Sequence, residues 1–124
     1  MLWVMPKQTP PAPADRHAAL HRHFRWQVPE RLNIAQLCCG RWAQARPEAV
    51  AIRWQHEDGA SACLNYGQLQ TEANRAAHAL RRLGVQQGDR VAIVMPQRFE
   101  TAIAHMAVAQ LGAVAMPLSM LFGP

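Results

Sequence analysis

Val91-Ala92-Ile93-Val94-Met95 is an uninterrupted apolar run that stops at Pro96. A strand with one wet face alternates apolar and polar residues. A strand with no polar position belongs in a sheet covered on both faces, which is the habit of parallel sheets. A helical stretch from about Phe99 to Leu111 follows, Gly112 closes it, and Ala113 to Leu118 forms a second apolar strand. That helix is long enough for the crossover that parallel strands require. The same order occurs upstream. A strand over 62–65 leads into a helix over about 66–83, with Leu69, Ala73, Ala76, Ala77, Leu80 and Leu83 on one face. Gly84 stands where a left-handed residue ends a helix, and Val85 can pack back on the last turn. The second half thus reads β-α-β-α-β. The expected fold class is α/β, a partial doubly wound parallel sheet with flanking helices, preceded by a β-hairpin and an N-terminal helical segment.

The first half supplies the hairpin and the helical segment. Residues 1–14 contain Pro6, Pro10, Pro11 and Pro13, the composition of a flexible lead-in. Asp15 is placed to cap a short helix through about Phe24. Asn33 followed by Gln36 reads as a variant capping box. Ile34, Leu37, Cys38, Trp42 and Ala45 then recur at helical spacing and predict one buried stripe, until Pro47 stops the helix. Val50, Ile52 and Trp54 alternate as a strand, and His56-Glu57-Asp58-Gly59 turns the chain into the partner strand. The domain reading is a lead-in with a short helix over 1–23 and one truncated α/β domain over 24–124.

Charge and cysteine usage exclude several functions. The chain of 124 residues carries a net charge of +5, from 12 arginines, the single Lys7 and eight acids. The arginines are scattered, the densest group being Arg22, Arg25 and Arg31, and they form no basic stripe. No nucleic-acid partner is expected. No apolar run approaches the length of a membrane helix, and the opening Met1 to Lys7 is wrongly ordered for a signal peptide, so a cytoplasmic protein with no membrane partner is expected. Cys38, Cys39 and Cys63 are odd in number and form no C-x-x-C pair. They read as reduced, mostly buried thiols. His17 and His21 share a helical face near His23, but no carboxylate or cysteine converges on them, and no metal site is expected.

Catalytic signatures are absent. The loop Pro96-Gln97-Arg98 lies where an α/β sheet binds ligands, yet contains no Gly-rich phosphate cradle. Arg98 is placed to neutralise a phosphate near a helix start. Ser61 and Ser119 lack a nucleophile elbow, and the acids fall mostly at turns and helix starts. No residue is assigned a catalytic role.

The order of short phrases from Leu64 to Leu118 resembles the opening of adenylate-forming enzymes, the superfamily of acyl-CoA synthetases, luciferases and peptide-synthetase adenylation domains. The phrases are the Tyr66-x-x-Leu69 helix start, Ala73-Asn74-Arg75, Leu83-Gly84-Val85-x-x-Gly88-Asp89-Arg90-Val91-Ala92, and Gly112-Ala113-Val114 before the apolar-Pro117-Leu118 strand. Upstream, Phe24-Arg25-Trp26, Pro29-Glu30-Arg31, Asn33-Ile34-Ala35 and Arg41-Trp42-Ala43 are similar to acetyl-CoA and medium-chain acyl-CoA synthetases.

The resemblance implies an AMP-forming acid–CoA ligase. Such an enzyme takes a small carboxylic acid, ATP and CoA, uses Mg2+, and proceeds through an acyl-adenylate to a thioester. In the family, the Ser/Thr/Gly-rich phosphate loop, the adenine motif, the hinge and the catalytic lysine lie beyond these phrases. None matches a position here, so the chain alone is expected to be inactive and to need no cofactor. A gapless register against the segment that touches the CoA nucleotide lands on Ser119, Met120 and Leu121, although the family's aromatic-Gly-Gly pattern is absent. Two other readings remain. One is a fragment of an adenylation module that loads a carrier protein, and the other is a stand-alone, non-catalytic binding or regulatory half-domain. The acid activated and the oligomeric state are not legible.

Overall fold

The structure, a computed structural model, describes residues 16–27 and 29–121. The chain divides into two compact units, Met1–Glu30 and Arg31–Pro124. In the first unit the described element is α1 (Arg16–His23). The expected Asp15 cap and the proline-rich lead-in lie outside the described residues.

The second unit begins with a helical segment whose buried face differs from the one its spacing predicts. Asn33 does cap it, its Oδ1 accepting from the Gln36 amide at 3.2 Å. The backbone then forms a π-helical turn, Gln36–Gly40, before α2 (Arg41–Ala45). A π turn holds more residues than an α turn, so a stripe counted at 3.6 residues slips around the axis. Ala35, Cys39 and Gly40 are the buried residues, the first two at 1% and 0% exposure, whereas Ile34 and Leu37 of the predicted stripe are exposed. The thiols divide likewise. Cys39 is buried, while Cys38 and Cys63, expected among mostly buried thiols, are exposed.

The hairpin follows as predicted. Strands β1 (Val50–Gln55) and β2 (Ser61–Asn65) pair antiparallel, with an irregularity between Val50 and Ile52. The tip closes through the His56 amide donating to the Ala60 carbonyl at 2.7 Å, with Gly59 at φ +90°. Of the two parallel crossovers read in the sequence, the structure contains one. Strand β2 pairs with β1, and its passage through α3 (Tyr66–Arg82) leads into a different sheet. There β3 (Arg90–Ile93) and β4 (Val114–Pro117) pair parallel across α4 (Phe99–Gln110), in the register Val91 with Ala115 and Ala92 with Met116. A strand of four or five residues does not carry in its own sequence the identity of its partner.

Local chemistry sets the ends of the two long helices. Asn65 caps α3 in a full capping box. Its Oδ1 accepts from the Gln68 amide at 2.7 Å, and Gln68 Oε1 accepts from the Asn65 amide at 2.9 Å. At the far end, the Val85 amide reaches the Leu80 carbonyl and the Gly84 amide reaches Arg81, the two bonds of a Schellman cap, with Gly84 at φ +93°. The α4 helix ends the same way, with the Ala113 amide on Val108 and the Gly112 amide on Ala109. The core lies where α3 and α4 pack together and where α4 meets β3 and β4. It contains Leu69, Ala73, Ala77, Ile93, Ala107 and Val108. Alanines at these contacts let the helix axes approach closely.

Candidate functional site

The end of β3, the end of β4 and the start of α4 converge on one side of the unit, and β1 of the hairpin faces them. Between them is a cleft of about 410 Å³, lined among others by Ile52, Trp54, Ile93, Arg98, His105 and Leu118. A second hollow, of about 680 Å³, adjoins it beneath the hairpin tip and shares Trp54, Gln97 and Arg98. The position is the one where α/β sheets bind ligands, outside the carboxyl ends of the parallel strands.

Trp54 fixes the geometry. Its Nε1 donates to the Gln97 carbonyl at 3.1 Å, which ties the hairpin to the loop after β3. Its ring lies 5.6 Å from the His56 ring and 6.4 Å from Phe99, centroid to centroid. Arg98 occupies the N-cap position of α4 with extended backbone, and its side chain makes no capping bond. Thr101, one turn on, donates its hydroxyl to the Pro96 carbonyl and braces the same loop. The first turn of α4 also carries Glu100, so the helix start presents a cation and a carboxylate side by side, both lining a small adjoining hollow with Trp54.

The residues singled out from sequence separate into two groups. Arg98 and Gln97 line the cleft. Ser119, Met120 and Leu121 follow β4, and the Ser119 Oγ accepts from the Leu121 amide at 3.1 Å in a local turn. Met120 and Leu121 are 57% and 93% exposed, so neither serves as core within the chain. Trp54, Thr101 and His105 were missed as cleft residues. Trp54 read as the inward residue of a strand, and only the fold brings β1 over the carboxyl ends of β3 and β4.

Chemically, the cleft can bind and orient. The described residues contain no group of three or more His, Cys, Asp or Glu side chains placed to hold a metal. His17 and His21 stack with ring centroids 6.1 Å apart in the first unit. No helix among the described residues is long and apolar enough to cross a membrane.

A βαβ crossover with a cleft at the strand ends, preceded by a hairpin, defines an α/β scaffold. Residues 39–124 match the family described as AMP-binding enzyme, and the chain belongs to that family. It is 48% identical over 90 residues to the acetyl-coenzyme A synthetase of Streptomyces coelicolor, an alignment covering 72% of this chain and 14% of that protein. The 3-hydroxypropionyl-coenzyme A synthetase of Sulfurisphaera tokodaii is 42% identical over 91 residues, covering 73% and 14%. Among solved structures, an acyl-CoA synthetase from Brucella canis superposes with a TM-score of 0.68 at 28% identity, covering 75% of this chain and 17% of that one. The chain therefore spans about one seventh of the length of these curated relatives.

Proposed function

We propose that this chain is the amino-terminal scaffold of an ATP-dependent acid–CoA ligase acting on acetate or a medium-chain acid, and that it is catalytically silent by itself. In the complete ligase, a carboxylate oxygen attacks the α-phosphorus of ATP and pyrophosphate leaves. The CoA sulfur then attacks the acyl carbonyl, and AMP leaves. Mg2+ and cationic side chains offset the charge on the transferring phosphate. Within this reading the protein is cytoplasmic, and Ser119, Met120 and Leu121 form one edge of the site for the CoA nucleotide. The Ser119 hydroxyl provides a hydrogen bond and the two exposed side chains provide apolar contact.

The observation that carries the reading is the 48% identity to an acetyl-coenzyme A synthetase over 90 residues, with the family match over residues 39–124 spanning the cleft. The names of the relatives favour a CoA ligase over a carrier-loading module. A chimera tests it. The 90 matched residues of the Streptomyces coelicolor synthetase are replaced by the aligned residues of this chain, and thioester formation from acetate, ATP and CoA is measured. Retained activity supports the reading. A folded chimera that activates no acid from acetate through the medium-chain range contradicts it.

A further inference from the structure

Among the described residues one hydrogen bond joins the hairpin to the β3–α4–β4 layer. It runs from Trp54 Nε1 to the Gln97 carbonyl, across 43 positions of sequence. The hairpin also packs on α3, the helix into which β2 leads. The loop that Trp54 grips is held by side chains. Thr101 Oγ1 donates to the Pro96 carbonyl, and Trp54 secures the next carbonyl along. Arg98 comes directly after. Its side chain makes no capping bond and, among the described residues, no ion pair, so the loop backbone decides where its guanidinium lies.

The cleft beside this loop is lined by Arg53 and Arg98 and, among the described residues, by no carboxylate. The acids of this region line other hollows. Glu57 and Asp58 line the one beneath the hairpin tip, where Asp58 pairs with His56, and Glu100 lines the small one. Trp54 and Arg98 are the two residues common to all three. Ile93 pairs with Pro117, so the loop after β3 and the segment after β4 leave the sheet side by side, and Leu118 lines the same cleft as Arg98. Resting on the ligase reading, in which residues 119–121 edge the site for the CoA nucleotide, we propose that Trp54 is a positioning residue. Through the Gln97 carbonyl it holds the Arg98 guanidinium where it meets a phosphate of CoA. A cation fixed beforehand loses less rotamer freedom on binding, so the contact adds more affinity.

The kinetics of a fusion test the proposal. The full 124-residue chain is joined ahead of the part of the Streptomyces coelicolor acetyl-coenzyme A synthetase that follows its 90 matched residues. Trp54 is replaced by an isostere carrying sulfur in place of the indole N–H, which keeps the ring and deletes the donor. KM for CoA should rise about fivefold to tenfold, the size of one lost hydrogen bond, while KM for ATP and for acetate moves by less than about twofold. Arg98→Gln should raise KM for CoA at least as much. Adding the isostere to Arg98→Gln should change nothing further, because both act on one contact. A bond with only a structural task lowers the melting temperature and leaves KM for CoA unmoved. That result overturns the proposal, as do additive effects of the two changes. A folded fusion that forms no thioester counts against the ligase reading, and calorimetric CoA binding then decides the role of Trp54. The same loss of affinity in both variants upholds it, and unchanged affinity or no binding overturns it. An active fusion whose KM for CoA ignores the isostere overturns the positioning role and leaves the ligase reading standing.

Discussion

Individual side chains with one clear physical task were the most legible part of this chain. Gly84 was assigned a left-handed cap from its place after an amphipathic run, and it adopts φ +93° with nothing near a prospective Cβ. Gly84→Ala should therefore cost only the conformational penalty, about 1 kcal/mol. Gly112→Ala should cost less, because φ +68° lies inside the left-handed region open to alanine and the exposed Gln87 side chain, whose Cγ would lie 3.0 Å from the new Cβ, can turn away. Urea denaturation of both variants in the active chimera checks the order. Asn65→Ala removes the side-chain half of the capping box, leaves the bond from the residue 65 amide to Gln68 Oε1 in place, and should cost ~1 kcal/mol in the same measurement. The cysteines were less legible, since burial depends on what lies opposite. Burial, and then the neighbouring Cys38, pushes the Cys39 thiol up from its ordinary 9.0. A group whose folded value is raised stabilises the fold below its unfolded value and loses that contribution as pH rises through the folded one. Stability should accordingly decline on the alkaline side of 9.0, and Cys39→Ala, which has no thiol to ionise, should flatten that limb. In thiol labelling, Cys38 and Cys63 should react at once and Cys39 only on unfolding.

At the scale of elements, periodicity located every helix and strand of the second unit but not always their partners. The hairpin and the β3–α4–β4 crossover follow from apolar runs punctuated by glycine and proline. The π turn at Gln36–Gly40 does not, because Leu37, Cys38 and Cys39 satisfy either helical count and only the packed state selects between them. Strand β2 was read into the parallel sheet for a similar reason. Its apolar residues establish a strand, while its pairing is decided by the five-residue tip, residues 56–60, that returns it to β1. The candidate cleft was half visible for the same cause. The loop with Arg98 could be named from its position after a strand, whereas Trp54 enters only through the hairpin's placement. Trp54→Phe deletes the bond to the Gln97 carbonyl while keeping an aromatic ring. It should destabilise the chimera by about 1 kcal/mol, measured by thermal melting.

For the whole molecule, the family is legible, and the proposed reading places the chemistry outside this chain. The phrases that place it among AMP-binding enzymes are helix caps, turns and core strands, so they record a scaffold. Among the described residues β3 and β4 each have one bonded neighbour and so a free edge, an arrangement poorly stabilised in isolation. The isolated chain should bind an apolar dye and melt without a sharp transition, and a cooperative melt from a soluble monomer would favour a self-sufficient binding domain. The most direct test of the central claim is pyrophosphate release by the 124-residue chain given ATP, Mg2+ and either acetate or a medium-chain acid. The account predicts none above the enzyme-free rate, and release that depends on the acid would contradict it.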